Sequence, residues 1–234
     1  MTLWAIVPAA GLGKRFGSNT PKQYLTLLDR TVLEHSLSAL LALPSIERVL
    51  VAINPADQVW SSLSCASDPR VEVISGGAER QESVRNALLR VMDCGAADDW
   101  VLVHDAVRPC VEAEDIERLI ALAGADAVGG LLVAAMDNTV KQCAAGAESR
   151  VERTLDRAVL WNAMTPQMFR AGPLLHALEA ARADGAALSD ESSAMERCGH
   201  APLLIESAKS NIKITHPSDL VVAQAILKSR ASID

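Results

Sequence analysis

The chain has 234 residues, 50% of them hydrophobic, and a formal net charge of -7. A chain of this length can bury a substantial core, and its acidity argues against a protein that coats nucleic acid or an anionic membrane surface. Its five cysteines include no Cys-x-x-Cys pair and therefore indicate neither a disulfide framework nor a zinc cluster. Because no stretch approaches the roughly 18 apolar residues of a membrane span, we expect a soluble, cytoplasmic protein.

Short apolar runs alternate with helical patterns along the chain. Uniformly apolar or β-rich runs predict strands over 3–7, 49–53, 71–74, 101–103 and 127–133. Apolar residues at three- and four-residue spacing predict helices over 32–43, 81–92, 115–123, 173–183 and 218–228. Continuous apolar strands imply a sheet that is covered on both faces. We therefore predict an α/β fold with a mainly parallel (mixed) sheet and helices on both faces, and one domain over residues 1–234.

One segment departs from this alternation. Residues 138–142 and 151–155 are short β-like runs joined by the small, polar stretch 144–149. This pattern predicts a β-hairpin arm that protrudes from the domain over about residues 137–158. An unpaired strand edge usually needs a partner, so we expect the arm to make an intermolecular contact.

The stretch VPAAGLGKRFGSNTPKQYL, residues 7–25, follows the first predicted strand. Gly11 and Gly13 allow the backbone to approach a ligand and to turn its N–H groups toward an anion. This is the position at which open α/β sheets bind nucleotides. Phe16 stands where a dinucleotide fingerprint requires glycine, and the Gly-Lys-Ser/Thr of a Walker A loop is absent. The loop therefore belongs to neither of these two classes.

Three cations accompany these glycines: Lys14, Arg15 and Lys22 lie within nine residues. One interpretation is a tight strand-to-helix turn with solvated charges. In a chain with a net negative charge, such clustering is better explained by a bound polyphosphate.

Three further segments carry candidate site residues. In HDAVRP, Asp105 follows a buried strand, where a carboxylate can hold a hard divalent cation, although it can equally cap a turn beside a surface Arg108. In SGGAERQES, the Gly76-Gly77 turn and Ser83 can read a pyrimidine edge or only start a helix. Lys213 lies in NIKIT, which reads as a short strand over 211–215 with the lysine on its solvent face.

Taken together and in this order, the segments resemble the signature of the sugar- and polyol-phosphate nucleotidyltransferases, in the form found in methylerythritol-phosphate cytidylyltransferases. The resemblance covers about residues 3–226. It implies a Rossmann-like fold of nucleotidyltransferase type. It also implies transfer of the cytidylyl group of CTP to 2-C-methyl-D-erythritol 4-phosphate, a polyol phosphate, with release of pyrophosphate in isoprenoid precursor biosynthesis.

The resemblance also implies roles for individual residues. Arg15, Lys22 and Lys213 would be catalytic, and Mg²⁺ or another divalent cation would bind near Asp105. The remaining implied nucleotide contacts are Ala9, Ala10, Gly11, Gly13, Lys14, Gly76, Gly77, Ser83 and Asp105. The implied contacts to the polyol phosphate are Asp105, Arg108, Thr139, Arg157, Thr165, Ser189 and Lys213.

A homodimer with interlocking arms is also implied, in which Thr139 and Arg157 reach the neighbouring subunit's active site. Within one chain, Arg157 can instead pair with Asp156 or Glu152 on the surface. The chain departs from the family pattern at Ala78, where many relatives carry Asp, and at Ser189, where relatives carry Thr.

Three alternatives remain open at this stage. A ribitol-5-phosphate cytidylyltransferase would share the fold and the chemistry and differ around Thr139, Arg157 and Thr165. A nucleotide-binding module would sense CTP without turning it over, which Arg15, Lys22 and Asp105 disfavour. A dinucleotide-dependent reductase is disfavoured by Phe16.

Overall fold

A computed structural model describes residues 2–11, 20–144, 146 and 149–232. The strands are β1 (Leu3–Pro8), β2 (Thr26–Leu27), β3 (Arg30–Thr31), β4 (Arg48–Ile53), β5 (Val71–Ser75), β6 (Trp100–Val103), β7 (Gly129–Ala135), β8 (Val140–Cys143), β9 (Val151–Leu155), β10 (Trp161–Arg170) and β11 (Leu203–Glu206). The α-helices are α1 (Val32–Leu41), α2 (Arg80–Cys94), α3 (Ala113–Ala123), α4 (Ala171–Ala183), α5 (Glu191–Arg197) and α6 (Pro217–Ala231).

Seven strands form one sheet in the order β11-β7-β10-β6-β1-β4-β5. Strand β10 pairs antiparallel with both β6 and β7, whereas the other pairings within this sheet are parallel. The predicted mainly parallel, mixed sheet is therefore confirmed. The five predicted strands and the five predicted helices are all present, with ends shifted by a few residues.

The sequence pattern missed β10 and β11 and wrongly predicted a strand at 211–215. Strand β10 contains Pro166, which lies where the register to β7 becomes irregular, and proline usually argues against an interior strand. The 211–215 segment belongs to no strand. Instead, the N–H of Ile214 donates to the carbonyl of Val107, so this segment crosses the loop that follows β6.

Both faces of the central strands of the sheet are buried. Along β1, Leu3, Ala5 and Val7 pack into the hydrophobic cluster that contains α1 and α3. The alternate residues Trp4 and Ile6 pack into the cluster that contains α2, α4 and α5. Because successive side chains of a strand point to opposite faces, a strand between two helical layers must be apolar throughout, as β1 is.

The parallel strands bring the candidate motifs to one edge of the sheet. The segment 9–11 follows β1, the Gly76-Gly77 turn follows β5, and His104 and Asp105 follow β6. All three therefore lie beyond the carboxyl ends of parallel strands in one half of the sheet, where ligands of open α/β sheets bind.

Strands β8 and β9 form a separate two-stranded antiparallel ribbon. It lies within the predicted arm, and its described residues are largely exposed. None of the described helices is long and apolar enough to span a membrane.

Candidate functional site

A cleft of about 540 Å³ opens at the carboxyl edge of the sheet. It is lined by eight of the predicted site residues, namely Ala9, Ala10, Gly11, Lys22, Gly77, Ser83, Asp105 and Lys213. Residues far apart in the chain thus meet in one place. Gly13, Lys14 and Arg15 lie outside the described residues.

The first wall of the cleft is the backbone after β1. The Ala9 N–H donates to the Ala52 carbonyl at 2.7 Å, which continues the β1–β4 pairing by one residue. The buried amide of Gln23 donates through Nε2 to the carbonyls of Ala9, at 2.8 Å, and Gly11, at 3.1 Å. Gln23 therefore fixes the point at which the glycine-rich loop leaves the sheet. Gln23 was not among the residues predicted for the site.

Lys22 begins a short 3-10 turn, Lys22–Tyr24. Its Nζ lies 3.2 Å from the carbonyl oxygen of Ile214 and donates to it. The lysine of the opening signature is therefore held against the segment that carries Lys213, and both ammonium groups line the same cleft.

The Gly76-Gly77 turn forms the second wall. The N–H of Gly76 donates to the Ile53 carbonyl, and the N–H of Gly77 donates to Ser83 Oγ at 3.0 Å. The Ser83 hydroxyl in turn donates to the Glu79 carbonyl at 3.2 Å. These groups are bonded within the chain, so recognition of a pyrimidine edge by the same amides and hydroxyl stays a prediction and requires some of these bonds to open.

Asp105 is the centre of an ion-pair cluster at the base of the cleft. Its Oδ1 lies 2.9 Å from Arg80 Nε, and its Oδ2 lies 2.9 Å from Lys213 Nζ and 3.3 Å from Arg108 Nε. Burial alone would raise the pKa of Asp105, but these cations hold it well below its usual range. The carboxylate is therefore ionised throughout the physiological pH range.

Arg80 and Glu191 extend this cluster. Nη1 and Nη2 of Arg80 lie 2.6 and 3.0 Å from the two carboxylate oxygens of Glu191, which is 1% exposed. Neither residue was predicted from the sequence to belong to the site. The position of Arg80 is one feature of the sequence that could have indicated a special role. Arg80 is the first residue of α2, where a cation is unfavourable because the positive end of the helix dipole repels it.

Thr165 contacts the backbone of Asp105 through a hydrogen bond. Its hydroxyl oxygen accepts from the Asp105 N–H at 3.0 Å and lies 3.1 Å from His104 Nδ1. Burial lowers the pKa of His104 to about 4, so the imidazole is neutral near pH 7 and can accept the hydroxyl proton of Thr165. The buried Thr165 hydroxyl is thus committed to positioning the loop after β6.

Two other predicted substrate residues, Arg108 and Ser189, do not line the main cleft. Arg108 is buried and donates through Nη1 to the Asn211 carbonyl at 2.7 Å, so it lies beneath the cleft and not on its surface. Ser189 lines a second cleft of about 140 Å³, which shares Glu79 and Arg80 with the first.

Thr139 and Arg157 are exposed at the arm and are not among the residues that line the main cleft. The guanidinium of Arg157 donates to the backbone carbonyl of Asp137. Within one chain, neither residue therefore lines the main cleft, and Arg157 is held by a contact inside the arm.

The predicted magnesium site depends on Asp105. No group of three or more His, Cys, Asp or Glu side chains within the described ranges is arranged to hold a metal ion. Mg²⁺ commonly uses one or two carboxylates together with substrate phosphates. Both oxygens of Asp105 already contact cations, so the described residues do not fit an ion held by protein groups alone. They fit an ion that is bound mainly by the phosphates of a nucleotide and takes Asp105 as one further ligand.

Comparison with known proteins identifies the family. The family model for 2-C-methyl-D-erythritol 4-phosphate cytidylyltransferase (IspD) matches residues 3–229. The chain is 48% identical to the protein of that name from Pseudomonas fluorescens strain SBW25. The alignment spans 218 residues and covers 93% of this chain and 92% of the relative. The chain is 46% identical to the Serratia proteamaculans protein over 94% of this chain and 91% of that relative.

Solved structures agree with the sequence matches. The crystal structure of Francisella tularensis 2-C-methyl-D-erythritol 4-phosphate cytidylyltransferase has a TM-score of 0.82 and 35% identity, and covers 97% of this chain and 100% of its own. A crystal structure of a 4-diphosphocytidyl-2C-methyl-D-erythritol synthase has a TM-score of 0.81 and 36% identity. The match covers 97% of this chain and 98% of the synthase chain. The resemblance noted in the sequence is confirmed: the chain belongs to the 2-C-methyl-D-erythritol 4-phosphate cytidylyltransferase family.

Proposed function

We propose that this protein transfers the cytidylyl group of CTP to the phosphate of 2-C-methyl-D-erythritol 4-phosphate. A phosphate oxygen of the acceptor forms a bond to the α-phosphorus of CTP, and the bond from that phosphorus to the bridging oxygen breaks. The products are 4-diphosphocytidyl-2-C-methyl-D-erythritol and pyrophosphate. The observation that carries this proposal is a cleft at the carboxyl edge of the sheet in which Lys22, Lys213 and Asp105 converge.

The chemistry requires positioning and positive charge. The attacking phosphate is already an anion, so no general base and no covalent intermediate is needed. Two anions must be brought together, and negative charge develops on the oxygens around the α-phosphorus. Lys22 Nζ and Lys213 Nζ line the cleft, each beside an oxygen atom of the chain, and cations already present in a site stabilise such charge effectively. In this proposal Lys14 and Arg15 add to them from the loop.

Mg²⁺ belongs to this proposal as an ion carried by the triphosphate, with Asp105 as its protein ligand. When bound, it would neutralise charge on the phosphates. The three cationic partners of Asp105 keep the carboxylate ionised, which is the form a hard cation requires.

A homodimer is also part of the proposal. The arm presents two short strands with largely exposed side chains, and it holds Thr139 and Arg157 outside the cleft of its own chain. Insertion of the arm into a second subunit would cover those strands and bring a further cation to the acceptor phosphate. A cytoplasmic location accords with the five cysteines, which are all free thiols.

The test is release of pyrophosphate by the purified protein with Mg²⁺ and CTP. We expect release with 2-C-methyl-D-erythritol 4-phosphate and none with ribitol 5-phosphate, with 4-diphosphocytidyl-2-C-methyl-D-erythritol as the product. Release only with ribitol 5-phosphate would overturn the proposed acceptor. Binding of CTP without release in either case would overturn catalysis and support a sensor.

A further inference from the structure

Arg80 lies in the cleft but has no role in the proposed reaction as described so far. It lines the cleft, contacts Asp105 through Nε, and contacts Glu191 through both terminal nitrogens. Glu191 and Asp105 are 111 and 25 residues away from it in sequence. A guanidinium that joins two buried carboxylates across three elements is expected to be fixed in place.

We propose that Arg80 is a positioning residue for the acceptor half of the reaction. Anchored by Glu191, it keeps hold of Oδ1 of Asp105, and this allows Lys213 to exchange Oδ2 for the phosphate of the acceptor. The inference rests on the proposed function, since it assigns a task to Lys213 when the acceptor is bound.

Arg80 and Lys213, two of the three cations that contact Asp105, differ in how firmly they are held. The Arg80 side chain is bonded to both oxygens of Glu191, which is 1% exposed, and leaving would strand a buried carboxylate. The Lys213 side chain is 41% exposed, and its ammonium group has one carboxylate partner among the described residues. Lys213 is therefore the partner that a phosphate can take away from Asp105.

The charge balance supports the same exchange. When Lys213 leaves, Arg80 and Arg108 still contact Asp105, so the buried carboxylate stays paired. Without Arg80, the carboxylate would depend more strongly on Lys213. The acceptor phosphate would then have to break a stronger ion pair before Lys213 could bind it.

The main test removes the Arg80–Glu191 pair without changing net charge, in the double variant Arg80→Gln/Glu191→Gln. Its matched control is Arg85→Gln/Glu179→Gln, which removes an ion pair between α2 and α4 whose residues do not line the cleft. We measure kcat and the separate KM values for CTP and 2-C-methyl-D-erythritol 4-phosphate by pyrophosphate release. Binding of the acceptor is also measured by calorimetry in the presence of a non-hydrolysable CTP analogue.

We expect the Arg80/Glu191 variant to raise KM and Kd for the acceptor by about tenfold and to change KM for CTP by less than about threefold. The control should leave all of these constants near wild type. The single variant Arg80→Lys should recover part of the acceptor affinity, because it restores a cation beside Asp105. It also provides a readout if the double variant folds poorly.

A double-mutant cycle with Lys213→Ala separates this role from a merely structural one. If Arg80 acts through Lys213, removing the Arg80–Glu191 pair in the Lys213→Ala background should weaken acceptor binding by less than about twofold further. Full additivity of the two effects, or a rise in KM for CTP equal to the rise for the acceptor, would overturn the inference. Failure of the wild-type protein to release pyrophosphate would instead count against the proposed function.

Discussion

Gly76→Ala tests whether the two glycine segments form one packed unit at the cleft. The backbone of Gly76 is not left-handed, so an alanine causes no strain through φ. A Cβ at this position would overlap the Cβ of Ala10, and it would lie 3.0 Å from Ser83 Oγ and 3.1 Å from the Ile53 carbonyl oxygen. Carbon atoms in contact normally lie about 3.5 to 4.0 Å apart, so Ala10 and the loop after β1 must move.

The expected cost follows from what holds that loop. Gln23 bonds to the carbonyls on both sides of Ala10, so the movement cannot be absorbed without disturbing these bonds. Overpacking of this kind costs about 1 to 3 kcal/mol, which corresponds to a fall in Tm of roughly 2 to 12 °C for a chain of this size. We also expect KM for CTP to rise at least about threefold, because the loop that leads into the glycine-rich segment is displaced.

Thermal unfolding followed by calorimetry, together with CTP-dependent pyrophosphate release, checks both expectations. Gly11→Ala is the matched control: no described atom lies within 4 Å of a Cβ built there, so its Tm should match wild type even if CTP binding weakens. A Gly76→Ala protein with the Tm and the KM for CTP of wild type would refute the packing argument.

Three further changes test the site and the fold. Lys22→Ala should lower kcat about 100-fold, the scale of removing one preorganised contact to a transition state, and steady-state kinetics showing a loss below about threefold would contradict its role. Equimolar co-refolding of Lys22→Ala and Arg157→Ala subunits should recover about a quarter of wild-type activity if each site uses the partner's arm, and no recovery would place Arg157 in its own subunit's site. Although burial would raise the pKa of Glu34, hydrogen bonds from Thr31 and Ser64 lower it to about 2. The stability that Glu34 provides should therefore be complete above pH 4.5 and fall by about 3 kcal/mol as the pH drops to about 2. Urea titrations of wild type and Glu34→Gln at several pH values should show that difference shrinking, and a difference independent of pH would contradict it.

The sheet could be predicted wherever burial on both faces made a strand apolar throughout, as in β1 and β6. Strand β10 was not predicted because its buried part contains polar residues. Gln167 is 1% exposed, yet its amide bonds to Asp190 and to the backbone N–H of Ser192. A buried glutamine with its hydrogen bonds satisfied is stable in a core, but in a sequence it cannot be told from an exposed one.

The candidate site was predictable where its residues are neighbours in the chain or follow a strand directly. Lys22 belongs to the same signature as Lys14 and Arg15, Asp105 comes two residues after β6, and both Lys22 and Asp105 line the cleft. The strand predicted for Lys213 was wrong, yet the lysine reaches the cleft because the 211–215 segment crosses the loop after β6. Arg80 and Glu191 could not be paired from the sequence, because a contact between residues 111 positions apart leaves no local pattern.

The buried carboxylates explain how an acidic protein can maintain a cationic cleft without a ligand. Arg80, Arg108 and Lys213 would repel one another if no carboxylate lay between them. Asp105 and Glu191 hold them within hydrogen-bonding distance, so the positive groups are in position before any phosphate arrives. In the proposed exchange, an entering phosphate replaces a carboxylate as the partner of Lys213, the most exposed of the three cations, while the two arginines remain on their carboxylates. Binding of the acceptor by this route requires the movement of one lysine side chain and leaves the rest of the ion-pair cluster unchanged.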